Sequence, residues 1–169
     1  GEGVCRNFEN AILNCSGDII FLCDQDDVWL PNKVERVMKA FENGADVILH
    51  DAVMTDGELN VTDESFFSLN GSKRGFVKNF VKNSYMGCCM AFRRDFEPEF
   101  MPFPKDLAMH DWWIGLNVEL KGKVEFIYEP LIKHRCHGGN VTGGKTTAVQ
   151  KLSWRIHMAR DILRFKNAD

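Results

Sequence analysis

Three carboxylates crowd into four positions, Asp24, Asp26 and Asp27 around Gln25, directly after the apolar pentad Ile19 to Cys23. Acids this close repel one another unless a cation or ligand neutralises them, and Mg²⁺ or Mn²⁺ takes such oxygen ligands together with phosphate oxygens. A solvated turn, with Asp27 helping to start the next helix, fits the same spacing. Asp111 stands near a predicted helix start, where the helix dipole favours its ionised, proton-accepting form. His137 and its rival His134 lie in or beside a Gly-rich segment, where a histidine is usually a polar surface group. His50 and Asp51 end a predicted strand on the same side, and a strand terminus suffices to explain them.

The elements that must position these groups alternate between strand and helix. Val4, Phe8, Ala11 and Ile12 share one helical face, with Gly17 placed to end that helix. Ile19 to Cys23 is predicted to be a central parallel strand buried on both faces, since nothing polar interrupts it. Asn32 and Glu35 suggest a capping pair, and Val34, Val37, Met38 and Phe41 follow at helical spacing before Gly44. Val47 to Leu49 adds a strand, so residues 18–50 form a strand, helix, strand unit suited to a parallel crossover. Residues 56–75 read as a surface excursion, and Phe76, Val77, Phe80 and Val81 as a short helix. Cys88 to Phe92 is a predicted strand, and the stretch of Pro98, Pro102 and Pro104 a loop. A helix is expected over 110–121, strands over 124–128 and 131–133, a flexible loop between Gly138-Gly139 and Gly143-Gly144, and a final helix over 149–165. The class is α/β.

Composition narrows the function. The 169 residues carry 21 Lys and Arg against 24 Asp and Glu, a net charge of -3, which argues against a protein held to nucleic acid by phosphate contacts. Thirteen Phe and four Trp exclude a disordered chain. Six cysteines without a C-x-x-C pair suggest buried free thiols in a reducing compartment. No segment reads as a signal peptide or membrane span, and no G-x-G-x-x-G follows the first strand as a dinucleotide binder would require.

Longer motifs carry a resemblance. The string GDIIFLCDQDDVWLPNKVE over residues 17–35 resembles the nucleotide-sugar segment of inverting family 2 glycosyltransferases with the GT-A fold. HDWW at 110–113 and HRCHGGNVTG at 134–143 look like the matching distal motifs of the rhamnosyltransferase-like branch. The resemblance implies a GT-A, Rossmann-like mixed sheet with flanking helices. It also implies that Asp24 faces the donor nucleoside and ribose, Asp26 binds a Mg²⁺ or Mn²⁺ bridging the diphosphate, and Asp27 is a supporting acid. Gly87, within Met86-Gly87-Cys88, falls in a glycine-containing loop near the donor sugar, Asp111 matches the base that takes the acceptor's proton, and His137 matches a late histidine that completes the metal site. The Trp112 and Trp113 pair could stack on a sugar ring, although helical spacing favours the core for at least one of them.

The family's usual opening, a strand with P-x-Y-N and an S-D-D-G-S stretch that hold the base, has no counterpart here. The expectation is an N-terminally truncated GT-A domain over 1–144, with a half-built nucleotide pocket and a sheet edge short of neighbours, inactive by itself and open to self-association along that edge. A basic amphipathic helix over 145–169 completes the chain. It holds six Lys or Arg and one acid, Asp161, between Lys145 and Lys166, beside an apolar stripe of Val149, Leu152, Ile156, Ala159 and Leu163. Such a helix can lie on an anionic membrane, which would suit a lipid-linked saccharide acceptor; packing on the sheet is the simpler reading. The expected partners are a nucleoside-diphosphate sugar and a hydroxyl acceptor, in the cytoplasm or at the inner face of its membrane, with a role in cell-surface polysaccharide synthesis. The competing reading is a noncatalytic nucleotide- or carbohydrate-binding module that keeps the fold.

Overall fold

The computed structural model describes residues 3–137 and 147–166. Its six strands are β1 (Ile19–Phe21), β2 (Val28–Trp29), β3 (Val47–Thr55), β4 (Val61–Asp63), β5 (Met90–Arg93) and β6 (Val124–Arg135). They form one mixed sheet in the order β1-β5-β3-β6-β2, with β4 appended to β3. β3 pairs with β6 in parallel, and the other pairings are antiparallel. The helices are α1 (Val4–Leu13), α2 (Lys33–Glu42), α3 (Phe66–Asn70), α4 (Phe76–Val81), α5 (His110–Lys121) and α6 (Ala148–Lys166).

Strand alternation divides the core in two. Ile20, Val47, Leu49, Met90, Phe92 and Phe126 pack with Ile12 of α1, the apolar residues of α5, and Met158 and Ile162 of α6. Ile19, Phe21, Ile48, Ala91 and Leu131 meet Val37, Ala40 and Phe41 of α2. Helix α5 is the most deeply buried element: every residue from Asp111 to Val118 is inside, and the Trp113 indole donates to the Phe100 carbonyl at 2.7 Å.

Several sequence expectations need correction. The apolar pentad supplies a short edge strand rather than a central one, because β5 is β1's only partner among the described residues and pairs with it antiparallel. The crossover from β1 to β3 does join strands of the same direction, but β5 inserts between them. The two strands expected over 124–133 are one, β6, whose parallel register with β3 shifts on either side of Asp51 and so carries it past Pro130. A 3₁₀ turn over Gly87–Cys89 takes the first residues of the strand expected from Cys88. The excursion over 56–75 contains β4 and α3, and the proline region contains a 3₁₀ segment, Arg94–Glu99. Of the cysteines, all six free, only Cys88 and Cys89 are buried.

Two helices turn a different face inward from the one their pattern suggested. In α2 the buried positions are Lys33, Val37, Ala40 and Phe41, while Val34 and Met38 are exposed. Asn32 makes no capping bond through its side chain, which instead donates to Glu129 at 2.9 Å. In α6 the core face is Trp154, Met158, Ile162 and Phe165, with Phe165 edge-on to Trp113 at 5.5 Å. The stripe of Val149, Leu152, Ile156 and Leu163 is exposed, Val149 at 77% and Leu163 at 62%. Bulk decides between the two faces, since the aromatic side chains bury more area than the aliphatic stripe. α6 starts on a reciprocal cap: Gln150 N–H donates to Thr147 Oγ1 at 3.2 Å and Thr147 N–H to Gln150 Oε1 at 2.9 Å. The glycine-bracketed loop of 138–144 lies outside the described residues. No helix among those described is long and apolar enough to cross a membrane.

Since β1 and β3 both oppose β5 and β3 parallels β6, the carboxyl ends of β1, β3 and β6 share one edge of the sheet. Ligands of open α/β sheets bind beyond such an edge. Close packing beneath it depends on Gly115, where a β-carbon would stand 2.4 Å from the Tyr85 ring. That ring is buried, and its hydroxyl donates to Glu119 at 2.8 Å, so it cannot swing aside. Gly115→Ala is therefore expected to destabilise the chain by about 1–3 kcal/mol, despite a helix-propensity gain of ~1 kcal/mol. Chemical denaturation checks this; a variant as stable as the parent would mean the contact is loose.

Candidate functional site

The turn leaving β1 brings its acids to the end of β6. Asp26 Oδ2 lies 2.7 Å from His137 Nε2, with both side chains partly open to solvent. Asp27 points inward with its side chain fully buried: Oδ1 accepts from His134 Nδ1 at 2.9 Å and from the Arg135 N–H at 3.1 Å. Its second oxygen, Oδ2, is buried without a partner. The Arg135 guanidinium donates to the Asp26 carbonyl at 3.1 Å and to the Gly57 carbonyl, which ties the acidic turn to the loop after β3. The rivalry between the two histidines thus resolves into two pairings, one for each neighbouring acid.

The electrostatics follow from burial and pairing. Burial pushes the Asp24 carboxyl upward, reinforced by repulsion from Asp27 and Asp26 and opposed by His134 and Cys88. Burial also pushes Asp27 up, but the bonds from His134, Cys88 and Arg135 outweigh it and hold Asp27 below the ordinary carboxylate value. His134 is raised to about 10, first by its bond to Asp27 and then by Cys88, so the pair is ionic at neutral pH.

Gly87 and Asp111 meet on the same edge. A β-carbon on Gly87 would fall 2.9 Å from His110 Nε2 and 3.8 Å from the Asp111 β-carbon, so only glycine lets this turn approach the start of α5. His110 stacks on Phe8 at 3.9 Å, its Nε2 buried without a partner, and burial drives its pKa down to about 4. Asp111 is 6% exposed. Burial raises its carboxyl to about 7 against the bonds from the Trp112 and Gly87 amides, and the charge of Asp24 adds to the rise. Asp111 is thus poised to exchange a proton near neutral pH, within the electrostatic reach of the acidic turn.

Other residues singled out from the sequence take structural places. Trp112 and Trp113 are both core residues, with the Trp112 indole donating to the Asn79 carbonyl at 2.9 Å. His50 and Asp51 lie inside β3 rather than at its end. Asp51 Oδ1 accepts from the amides of Ala52 and Phe67, both at 2.8 Å, and Ser65 Oγ donates to Oδ2, so this carboxylate anchors α3. His50 is buried and held neutral, at about 3, by desolvation and by Lys33.

Sequence reasoning missed Lys33. Its ammonium is buried behind the acidic turn, donates to the Cys88 carbonyl at 3.0 Å and sits 4.0 Å from the Trp29 ring centre. Desolvation lowers its pKa, while neighbouring cysteines and Asp27 oppose the shift. The signal was a lysine in register with Val37, Ala40 and Phe41 on the inner face of α2. Cys88, which the sequence marks only as a thiol, a loop neighbour and the start of a predicted strand, places its sulfur 3.7 Å from His134 Nδ1.

The His134 and Asp27 pair has a defined pH signature. The folded pKa of His134, about 10, exceeds its unfolded value of 6.5. Its stabilisation is thus complete below 6.5 and lost as pH rises through 10. That of Asp27, lowered from 3.8, is present above 3.8 and lost as pH falls through the folded value. His134→Gln should cost about 3 kcal/mol at pH 5–6, because it strands a buried carboxylate, and progressively less towards pH 10. Denaturant titrations across pH measure this; a loss that does not vary with pH would show that the pair is not ionic.

Comparison with known proteins identifies the fold and the family. A model of glycosyl transferase family 2 matches residues 1–100. An uncharacterized glycosyltransferase of Nostoc sp. is 24% identical over 149 residues, covering 82% of this chain and 46% of the relative. An uncharacterized protein of Mycobacterium tuberculosis is 21% identical over 82% of this chain and 40% of its own length. The chain therefore spans less than half the length of these curated relatives. Among solved structures, S. aureus TarS 1-349 in complex with UDP-GlcNAc is similar over 97% of this chain and 47% of that one, with a TM-score of 0.69 and 11% identity. The likeness shows the fold, a mixed α/β sheet of the GT-A type. With a family model matched over more than half of its residues, the chain belongs to glycosyl transferase family 2.

Proposed function

We propose that this chain supplies the diphosphate, cation and acceptor-base side of an inverting, metal-assisted transferase that moves a hexose from a nucleoside diphosphate to a hydroxyl acceptor. The observation that carries the reading is convergence: Asp24, Asp26 and Asp27 after β1, Gly87 before β5, Asp111 at the start of α5 and His137 after β6 gather at one sheet edge. A nucleotide-sugar donor is supported by the family and by TarS, whose structure holds UDP-GlcNAc. The rhamnosyltransferase-like motifs favour that branch, and cell-surface polysaccharide is the acceptor class such chemistry would serve.

Asp26 and His137 fit a divalent cation of the Mn²⁺ or Mg²⁺ kind, since a carboxylate and an imidazole already approach one another at a partly open position. Such an ion, when bound, supplies positive charge against the departing diphosphate. Asp24 is free to accept from ribose hydroxyls at the same rim, and Asp27, locked to His134, sets the turn that presents both neighbours. Gly87 leaves backbone space beside Asp111 for the donor sugar. Asp111 takes the acceptor hydroxyl proton as the oxygen attacks the anomeric carbon opposite the leaving group, which inverts the centre. A base whose pKa sits near 7 gains both a useful ionised fraction and proton affinity.

Two outcomes test this. In the enzyme, Asp111→Asn should lower kcat by about 10²-fold or more with KM for the donor nearly unchanged, and remove the acidic limb near pH 7 from the rate profile. The same substitution should raise the Tm of this chain at pH 8. The folded carboxyl binds its proton up to about pH 7 and the unfolded one only to 3.8, so stability falls over that window and an amide escapes the loss. Unchanged turnover would remove Asp111 from the mechanism and leave the binding-module reading.

The second outcome concerns the cation. Mn²⁺ should tighten binding of a nucleoside diphosphate measured by calorimetry, and Asp26→Ala or His137→Ala should each abolish that coupling. Equal affinity with and without the metal would refute the assignment.

A further inference from the structure

Beside the open pair of Asp26 and His137 lies a second group of ligands with different chemistry, exposed at Asp24 and buried at Cys88 and His134. One oxygen each from Asp24 and Asp27, the Cys88 sulfur and a His134 nitrogen all fall within 4.8 Å of one another. Cys88 and His134 are buried, and so is the whole Asp27 side chain, whose Oδ2 has no partner. A buried carboxylate oxygen left unsatisfied costs free energy that a ligand could recover.

The separations suit a tetrahedral ion. Ligands on Zn²⁺ at ~2.3 Å for sulfur and ~2.0–2.1 Å for nitrogen stand about 3.6 Å apart. Cys88 Sγ and His134 Nδ1 are 3.7 Å apart. Asp27 Oδ1 and His134 Nδ1, at 2.9 Å, share a hydrogen bond and would open by a few tenths of an ångström when an ion replaced its proton. Both contacts converge on the same imidazole nitrogen, the lone pair an ion would use. The three ligands come from the turn after β1, the turn before β5 and the end of β6, so an ion would cross-link three separate segments at the sheet edge.

We propose that Asp27, Cys88 and His134, with one carboxylate oxygen of Asp24 as the fourth ligand and its other oxygen left to the ribose, form a site for a thiophilic divalent cation of the Zn²⁺ class, separate from Asp26 and His137. Sulfur and imidazole ligands select such an ion over Mg²⁺, which prefers oxygen and keeps its water. The assignment does not depend on glycosyl transfer. Its effect is mechanical: the bound ion holds the end of β6 to the acidic turn.

The test uses Co²⁺ and Zn²⁺ on the 169-residue chain. Co²⁺ should give the visible bands of a tetrahedral site and a near-ultraviolet sulfur-to-cobalt charge-transfer band. That band should survive Asp26→Ala, His137→Ala, Cys23→Ser and Cys136→Ser and disappear in Cys88→Ser. Zn²⁺ should raise the Tm of the parent chain. X-ray absorption of the Zn²⁺-loaded parent, which needs no variant, should show one sulfur at ~2.3 Å among nitrogen and oxygen ligands. An absorption spectrum with no sulfur shell, or a cobalt band lost in Cys23→Ser or Cys136→Ser, would overturn the proposal.

Discussion

The parallel pairing of β3 with β6 is the constraint on which the rest of the site depends. It is the sheet's parallel pair, and it fixes which way β6 runs and therefore where its last residues emerge. Had β6 run the other way, His134 and His137 would leave the sheet at the edge opposite Asp24 to Asp27. The register shifts around Asp51 change which face β3 presents, Val47 and Leu49 lying on the α5 side before them and Ala52 after, while β6 keeps its own alternation throughout. Along β6, Phe126 and Ile132 meet the α5 side, Ile127 and Leu131 the α2 side, and His134 reaches the buried Asp27.

Around that frame the acidic turn is held by opposite charges placed at different depths. Lys33 lies buried behind it, His134 beside it, and Arg135 braces its backbone, while Asp24 and Asp26 remain towards solvent. This grading resolves the repulsion that three clustered acids create. The buried carboxylate is paid for by a charged imidazole, and the outer pair stays towards solvent. The same logic separates Asp111, which burial drives towards its neutral form. Two carboxylates close to one edge are thereby pushed in opposite directions, which suits one to a structural ion pair and the other to proton transfer.

Much of this was legible from residue order alone. Helices α1, α2, α4 and α5 follow from periodicity, and the pairing of acids after a strand with a late histidine follows from motif resemblance. The limits of that reading have physical causes. The pentad at Ile19 to Cys23 is as apolar as a central strand, yet β5 covers only one of its sides, and hydrogen-bond partners are not written in hydropathy. For α6 two apolar stripes compete on one helix, and the aromatic bulk of Trp154 and Phe165 wins over the more regular aliphatic one. Trp112 and Trp113, adjacent and therefore on different flanks of α5, are both buried because that helix is enclosed almost all round. Lys33 and Cys88 escaped because their contact joins α2 to the turn before β5, residues that no local pattern connects.

Central to this account is the claim that the sheet edge presents Asp26 and His137 as one cation site opposite a proton-accepting Asp111. Anomalous diffraction from crystals of the chain soaked with Mn²⁺ and a nucleoside diphosphate measures it directly. The expected result is a manganese peak bonded to Asp26 Oδ2 and His137 Nε2, with diphosphate oxygens completing its shell and Asp111 on the facing side. Manganese bound elsewhere, or diphosphate held with no metal between Asp26 and His137, would contradict it.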